Sequence, residues 1–389
     1  MYNMQPMSVH QQLIEPVSMI VLTGGPCSGK SSSLAYLTEK LSDHGFMVFV
    51  VPETATLITD SGIDRRKMHR QRQVALYEEA ILDLQLAFEE TYRNAAERVF
   101  PEKKKVILLD RGIMDIKAFV SDAEFSAMLQ KRGLREIALR DRYTGIIHLV
   151  TAADGALKFY TGENNAARIE TPEESIVLDR KIRESWLGHP RLRIIDNSTD
   201  FQGKIMRAFE AISGLIGLPA PLNCRERFVI KNLSLKQLPV HRTIQIEVTY
   251  LKSKDRKEEI RIKKRGQDGS YLYFLSRRSG GAGAEEEELL TEQHYLNLSK
   301  LIDPKTEVLK KERICFEWNN HYCEVDRYKD RHTGLNILKI EPFDGALSGR
   351  NIDVPPFVVI GKRVTDEVEY DERHMALKQK GLSSASRSK

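Results

Sequence analysis

The stretch Ile20-Val-Leu-Thr-Gly-Gly-Pro-Cys-Ser-Gly-Lys-Ser-Ser constrains this chain more than any other. An apolar run over residues 19–22 reads as a buried strand and breaks into a glycine-rich turn. Gly24, four intervening residues, Gly29, Lys30 and Ser31 then fill the phosphate-loop pattern. Glycines at both ends permit backbone angles closed to other residues, so successive N–H groups can turn inward around phosphate oxygens. The lysine supplies a point charge toward the β- and γ-phosphates, and the Ser31 hydroxyl can ligate Mg²⁺. Leu34, Leu37 and Leu41 recur at helical spacing just after the loop, which places the anion at a helix N-terminus. The nucleotide-binding candidates are therefore Gly24, Gly25, Pro26, Cys27, Ser28, Gly29, Lys30, Ser31 and Ser32. The expected ligand is a nucleoside triphosphate, GTP or ATP, with Mg²⁺.

At 389 residues the chain has length for two cores. A formal charge of +5 is small for that size and argues against bulk nucleic-acid binding. No run approaches the ~18 apolar residues of a membrane span, and residues 1–18 lack a basic-then-apolar signal and read as a flexible leader. Four cysteines without CxxC spacing fit a reducing compartment, most simply the cytoplasm.

Strands alternating with helices over residues 19–218 predict an α/β domain with a mainly parallel sheet. Residues 46–51 form a second strand ending in Pro52-Glu53, and a carboxylate there reaches the mouth of a phosphate loop. Glu53 is thus a candidate base or metal-shell residue, with helix capping as the ordinary alternative. The arginines and lysine of residues 61–72 read either as a phosphate clamp or as a solvated surface, and residues 73–99 as a long amphipathic helix. Val106-Ile-Leu-Leu-Asp110 has the form of a Walker B strand, whose carboxylate holds Mg²⁺ directly or through water. His148 sits in a core strand and reads as a buried structural histidine. Residues 160–186 suit a mobile lid whose Arg168, Arg180 and Arg183 reach the phosphates on closure, with surface salt pairing as the alternative. Asp196-Asn197-Ser198, after the last strand, is placed to line the base. Glu53, Asp110 and Arg168 are the catalytic candidates; Ser31 and Asp110 are the metal candidates in this half.

Gly and Pro cluster before Cys224, so a linker is expected at residues 219–224. Beyond it the hydrophobic period becomes two. Arg261, Lys263 and Arg265 share one strand face, Lys311 and Arg313 another, and Glu324 pairs with Asp326; Glu341 closes a later strand. A sheet with one face in water explains such alternation. Its sorting into basic and acidic strands also fits an antiparallel barrel whose lumen holds a polyanion, with Glu324 and Asp326 ligating a divalent ion. Residues 373–389 read as a disordered tail.

Two resemblances extend these readings. Residues 19–215 resemble the P-loop family related to nicotinamide riboside kinases, through Gly24 to Ser31, Val51-Pro-Glu53, Gln85-x3-Glu89, Asp110-Arg111 and the stretch from Arg168 to Trp186. Residues 225–372 resemble a CYTH-type triphosphate tunnel, an α+β antiparallel barrel, through Arg261, Lys263, Arg265, Lys311, Arg313, Glu324, Asp326 and Glu341. The fusion resembles the TRPL translocation defect protein family. That resemblance implies GTP and phosphoinositide binding, peripheral association with endomembranes, and a role in membrane-protein trafficking through partners the chain does not name. A CYTH-type enzyme opens with Glu-x-Glu-x-Lys, whereas this chain has Gln245-x-Glu247-x-Thr249. Losing one carboxylate and one lysine favours binding of a head group or other polyphosphate over turnover. No Asn-Lys-x-Asp box follows a late strand, so GTP preference rests on the resemblance alone. The alternative function is an ATP-dependent kinase of a nucleoside-like small molecule.

Overall fold

A computed structural model describes residues 16–160, 171–218, 226–253, 255, 258–279, 285–340 and 354–378. The chain divides into two compact units, Met1–Ala220 and Pro221–Lys389.

In the first unit the elements run β1 (Val17–Thr23), α1 (Lys30–Asp43), β2 (Met47–Val51), α2 (Thr54–Asp60), α3 (Gln71–Val99), β3 (Lys105–Asp110), α4 (Asp122–Lys131), α5 (Glu136–Arg140), β4 (Gly145–Leu149), α6 (Pro172–Ser185), β5 (Leu192–Ile195) and α7 (Phe201–Leu215). The five strands pair in parallel in the order β2-β3-β1-β4-β5. Parallel strands need cover on both faces, and β1, β3 and β4 are accordingly near-continuous apolar runs. Ile20, Leu22, Val106, Leu108, Ile147 and Leu149 pack against Leu34, Leu37 and Leu41 of α1 and Ala208, Ala211 and Ile212 of α7. Helix α3 lies against β1, β2 and β3. The order reverses beside β1, so its carboxyl end opens a crevice for a ligand. The phosphate loop sits there.

The expected lid corresponds, over its described part, to α6. This helix packs one face into the unit: Asp179, Ile182, Arg183 and the following Trp186 are buried, and Arg180 is exposed. A capping box between Thr171 and Glu174, with Pro172 at the first turn, starts it. Arg168 lies outside the described residues.

In the second unit the elements run β6 (Glu226–Leu233), β7 (His241–Tyr250), β8 (Glu258–Gln267), β9 (Ser270–Ser279), β10 (Glu285–Leu290), α8 (Glu292–Leu298), β11 (Leu309–Trp318), β12 (His321–Tyr328), β13 (Asn336–Ile340), β14 (Val358–Arg363) and α9 (Glu372–Ala376). They make one antiparallel sheet in the order β10-β9-β8-β7-β11-β12-β13-β6-β14. Among the described residues β10 and β14 remain its edges, so strand pairing does not close the expected barrel. One face of β11–β13 carries Ile314, Phe316, Cys323, Val325, Leu338 and Ile340 as a core. Alternation then sends Lys311, Arg313, Glu324, Asp326 and Lys339 to the other face.

Candidate functional site

The phosphate loop leaves β1 and enters α1 through two glycines in left-handed conformations. Gly24 has φ 147°, and a Cβ there would lie 2.1 Å from the Leu149 carbonyl oxygen. Gly29 caps α1 at φ 88°, where a Cβ would meet the Phe201 ring at 2.6 Å. Only glycine satisfies both conditions. Half-buried Lys30 lies 3.4 Å from the Gly24 carbonyl, curled back over the loop. Burial, aided by Arg111, lowers its pKa, while Asp110, Glu53 and Asp115 oppose the shift.

Parallel pairing of β1 with β3 sets Asp110 beside Leu22, at the same carboxyl edge as the loop. Asp110 Oδ1 is buried and makes no hydrogen bond among the described residues; the same holds for Ser28 Oγ inside the loop. Burial pushes the Asp110 carboxyl up, and Glu53 and Asp115 add to this against Lys30 and Arg111. A carboxylate oxygen left over, at the same sheet edge as the loop that carries the exposed Ser31, suits a hard cation that takes oxygen ligands. Among the described residues no group of three His, Cys, Asp or Glu side chains is arranged to hold a metal. A phosphate-loop Mg²⁺ asks for less, one hydroxyl and one carboxylate with the nucleotide's own oxygens.

Sequence reasoning missed the residues that brace the loop. Asp179 of α6 accepts the Gly25 N–H at 2.7 Å and the Thr151 N–H at 3.2 Å, with His148 Nε2 at 3.1 Å and Arg183 Nε at 3.5 Å. Burial works against its ionisation, yet His148, Arg183 and the Gly25 N–H outweigh it and hold the carboxyl at about 2. His148 is fully buried, as expected of a structural histidine, and burial lowers its pKa. Lys204 of α7 donates to the Ser28 carbonyl at 3.2 Å, the Val150 carbonyl at 2.6 Å and Asn197 Oδ1 at 2.8 Å. Asn197 itself donates to the Thr151 and Asp154 carbonyls, so it ties loops together instead of offering its amide outward. Nothing in the local pattern of α6 or α7 distinguishes Asp179 or Lys204 from the surface charges around them.

Glu53 caps no backbone amide of α2 with its side chain. It pairs with Arg111 and accepts from Thr56 Oγ1 at 2.7 Å. Burial would raise its pKa, but Arg111 and Lys30 hold it at about 2. A carboxylate so acidic is an acceptor and orienting group, a weak general base near neutral pH. Arg111, at φ 74°, also faces Asp115 at 3.8 Å; Asp115 accepts from Thr23 Oγ1 at 2.8 Å and Trp186 Nε1 at 2.6 Å. A cavity of about 550 Å³ opens beside Pro26 of the loop, with Glu53 and Arg111 at one end and Arg65 and Glu78 further in. Gln85 and Glu89, hydrogen-bonded at 2.9 Å, support its floor together with Thr54. Glu78 is 3% exposed and 3.6 Å from Arg65, and burial pushes its carboxyl up to about 7. Arg65 lines this cavity yet stays exposed, as do Lys67, Arg70 and Arg72, in keeping with the solvated-surface reading of that run.

In the second unit part of the ionic strand faces meets in one cluster, with Lys311, Glu324 and Asp326 buried and Arg261, Arg313 and Lys339 half-buried. Asp326 is 0%, Glu324 1% and Lys311 4% exposed, which excludes a face turned to water. Asp326 receives Lys311 and Lys339, each at 2.8 Å, and Arg313 at 2.6 Å; Arg313 also reaches Glu324 at 2.9 Å. Both Asp326 oxygens are committed to Lys311, Lys339 and Arg313, so three positive groups stand where a divalent ion expected at Asp326 would have to approach; Glu324 meets Arg313 through Oε2. Lys263 pairs with Glu287 at 2.9 Å, Arg265 lies over the Phe274 ring at 6.0 Å, and Arg261 reaches Glu372 at 3.4 Å. Of the expected tunnel cations, Lys311, Arg313 and Arg261 thus join the cluster around Asp326 and Glu372, while Lys263 meets Glu287 and Arg265 meets Phe274. Lys339 and Glu372 were not anticipated. Glu341 lies outside the described residues.

Residues 19–204 match the family model described as AAA domain. No curated protein matches the chain. Among solved structures, the chain is similar to the hypothetical protein NE1496 at 19% identity, covering 40% of this chain and 97% of that one, with a TM-score of 0.31. A structure described as the inorganic triphosphatase NE1496 gives 17% identity over the same shares and the same TM-score. The PH1819 protein from Pyrococcus Horikoshii OT3 gives 16% identity, 30% of this chain, 76% of that chain and a TM-score of 0.25. With the loop, the parallel sheet and the family match in agreement, the first unit is an AAA-type P-loop nucleotide-binding domain.

Proposed function

We propose that the chain is a nucleoside-triphosphate-binding regulatory protein, GTP-preferring, whose second unit recognises a clustered-phosphate group such as a phosphoinositide head group. It acts at the cytoplasmic surface of endomembranes in the trafficking of membrane proteins. The observation that carries the nucleotide half is the phosphate loop with Lys30 over it and the unsatisfied Asp110 oxygen at its edge. When bound, Mg²⁺ supplies charge neutralisation between the phosphates, with Ser31 and Asp110 as its protein ligands. Lys30 holds the terminal phosphates, Asp179 and Lys204 keep the loop in shape, and the Glu53–Arg111 pair fixes polar groups at the loop's mouth. Buried Lys311 with half-buried Arg261 and Arg313 supports the second half, and the family resemblance supports GTP, phosphoinositide and trafficking. Calorimetry of the full chain with Mg-GTP and Mg-ATP tests the reading, alongside liposome sedimentation of Arg261→Ala and Arg313→Ala. Tighter GTP binding with little turnover, and lost sedimentation in both variants, is the expected result. Equal or tighter ATP binding removes the GTP preference, and unchanged sedimentation removes the second unit from membrane recognition.

One observation favours a second reading, an ATP-dependent kinase of a nucleoside-like small molecule. The 550 Å³ cavity beside Pro26 has the size of a small-molecule site and opens at the end of the phosphate loop. In that reading Glu53 and Arg111 orient the acceptor hydroxyl and Asp110 serves the metal. Labelled ATP with a panel of unphosphorylated nucleosides discriminates: a labelled product lost in Glu53→Gln promotes the kinase, and no product from any of them removes it.

A further inference from the structure

Helix α9 lies outside the sheet of the second unit, yet it sends one carboxylate into the buried cation cluster. Glu372 pairs with Lys311, lies 3.4 Å from Arg261 and 3.9 Å from Lys339, and keeps 21% of its side chain exposed. Asp326, the other acid shared by these cations, is fully buried on β12 and held by three of them. The two carboxylates differ in kind. Asp326 is part of the sheet's own cross-strand pairing, directly opposed to Arg313 in the register. Glu372 arrives from a short chain-end helix and touches the same cations from the open side.

The helix is well anchored apart from that contact. His332 Nε2 lies 2.9 Å from the Met375 carbonyl, the Glu307 N–H donates to the Ala376 carbonyl at 2.8 Å, and Arg373 meets Asp303 at 2.9 Å. Met375 and Ala376 are buried. Rotation about the bonds of the Glu372 side chain therefore withdraws its charge while α9 keeps its seat. Without Glu372, Lys311, Arg313 and Lys339 keep Asp326 and Glu324 as their acidic ion-pair partners in the cluster among the described residues, three cations on two carboxylates, an excess of positive charge that a phosphate group can fill.

We propose that Glu372 is a built-in competitor of the anion site, standing on Lys311, Lys339 and Arg261 where a phosphate group of the ligand goes. This rests on the reading of the second unit as a clustered-phosphate binder, and it adds the regulation of that site. Burial opposes the ionisation of Glu372, but the lysines and Arg261 overcome this and hold its pKa well below the usual range, so the competitor is charged at every physiological pH. An incoming ligand must carry more than one negative charge to win the exchange. Singly charged anions do not open the site.

The test uses the full chain, wild type and Glu372→Gln, with two probes of the same chemistry: inorganic tripolyphosphate, and vesicles containing phosphatidylinositol bisphosphate. Like charges side by side cost several kcal/mol at an interface, so removing Glu372 should tighten binding by about tenfold or more. Gain with both probes identifies a site for phosphate clusters of either source; gain with vesicles alone assigns it to the lipid. Glu367→Gln, which removes a half-buried charge paired with exposed Lys362, is the control and should bind as wild type does. Equal binding by wild type and Glu372→Gln overturns the competitor role while leaving the anion site standing. If neither protein binds either probe, the anion-site reading falls and the competitor falls with it. Should Glu372→Gln not fold, Glu372→Asp keeps the charge but shortens its reach, and unchanged affinity there also counts against the proposal.

Discussion

The Asp179 carboxylate accepts the Gly25 N–H at 2.7 Å across 154 residues of sequence. A helix far along the chain thereby fixes the first turn of the phosphate loop. Asp179→Asn keeps the shape but removes the charge that His148 and Arg183 face. Breaking one partner of a buried pair costs about 3 kcal/mol or more. The melting transition of the first unit should fall accordingly, and nucleotide affinity with it. The pH sign follows from the depressed carboxyl at about 2. Its stabilisation is complete above the unfolded pKa of about 3.9 and is lost as pH falls toward 2. An unchanged melting temperature in the variant contradicts the bracing role.

Lys30→Ala should leave the fold intact and abolish tight nucleotide binding, because among the described residues its amine makes a single long hydrogen bond, to the Gly24 carbonyl at 3.4 Å. For the wild type, Mg-nucleotide at one hundred times its dissociation constant adds about 2.7 kcal/mol of stability by mass action. Thermal shift measures this directly. The same gain in the variant places the nucleotide elsewhere.

Much of the first unit was legible because its signals are local. The loop pattern is contiguous, and the parallel strands read as apolar runs, as strands buried on both faces must. Asp179, Lys204 and Glu78 were not legible, since each acts across elements that only the fold brings together. In the second unit the period of two exposed the ionic faces of Lys311, Arg313, Glu324 and Asp326. Alternation gives a face but not its environment, so it could not distinguish water from a buried cluster. Glu372 escaped for a further reason: it sits in a short helix beyond the last strand, where no periodicity flags it.

Glu78 gives a pH signature of opposite sign to Asp179. Burial raises its carboxyl to about 7, only partly countered by Arg65 and Arg111. The folded state therefore binds more protons than the unfolded state between about 4.3 and 7, so this group favours folding at low pH and loses that contribution as pH rises through 7. Glu78→Gln should be more stable than wild type above pH 7, by on the order of 3 kcal/mol, and the two should converge near pH 4. His148, with its lowered pKa, acts in both proteins and cancels in the difference. Chemical denaturation across pH 4 to 8 reads it. A flat difference curve means that Glu78 titrates alike in the folded and unfolded states and its carboxyl is not raised.

Asp110 separates the cost of a site from its use. Its buried Oδ1 has no hydrogen-bond partner among the described residues, and burial pushes its pKa up. A buried polar atom without a partner costs about 1–3 kcal/mol. On the proposed reading the chain keeps this acid at the carboxyl end of β3, at the expense of stability, for a cation. Asp110→Asn should match or exceed the wild type in stability without ligand, since it no longer buries a carboxyl there. With nucleotide present, the wild type should gain further stability on adding Mg²⁺ and lose it on chelation, whereas Asp110→Asn should respond little to either. Thermal melts of both proteins, with nucleotide alone, with Mg²⁺, and with excess chelator, resolve the two effects. A variant less stable without ligand and equally responsive to Mg²⁺ makes Asp110 a structural acid and moves the metal to other ligands.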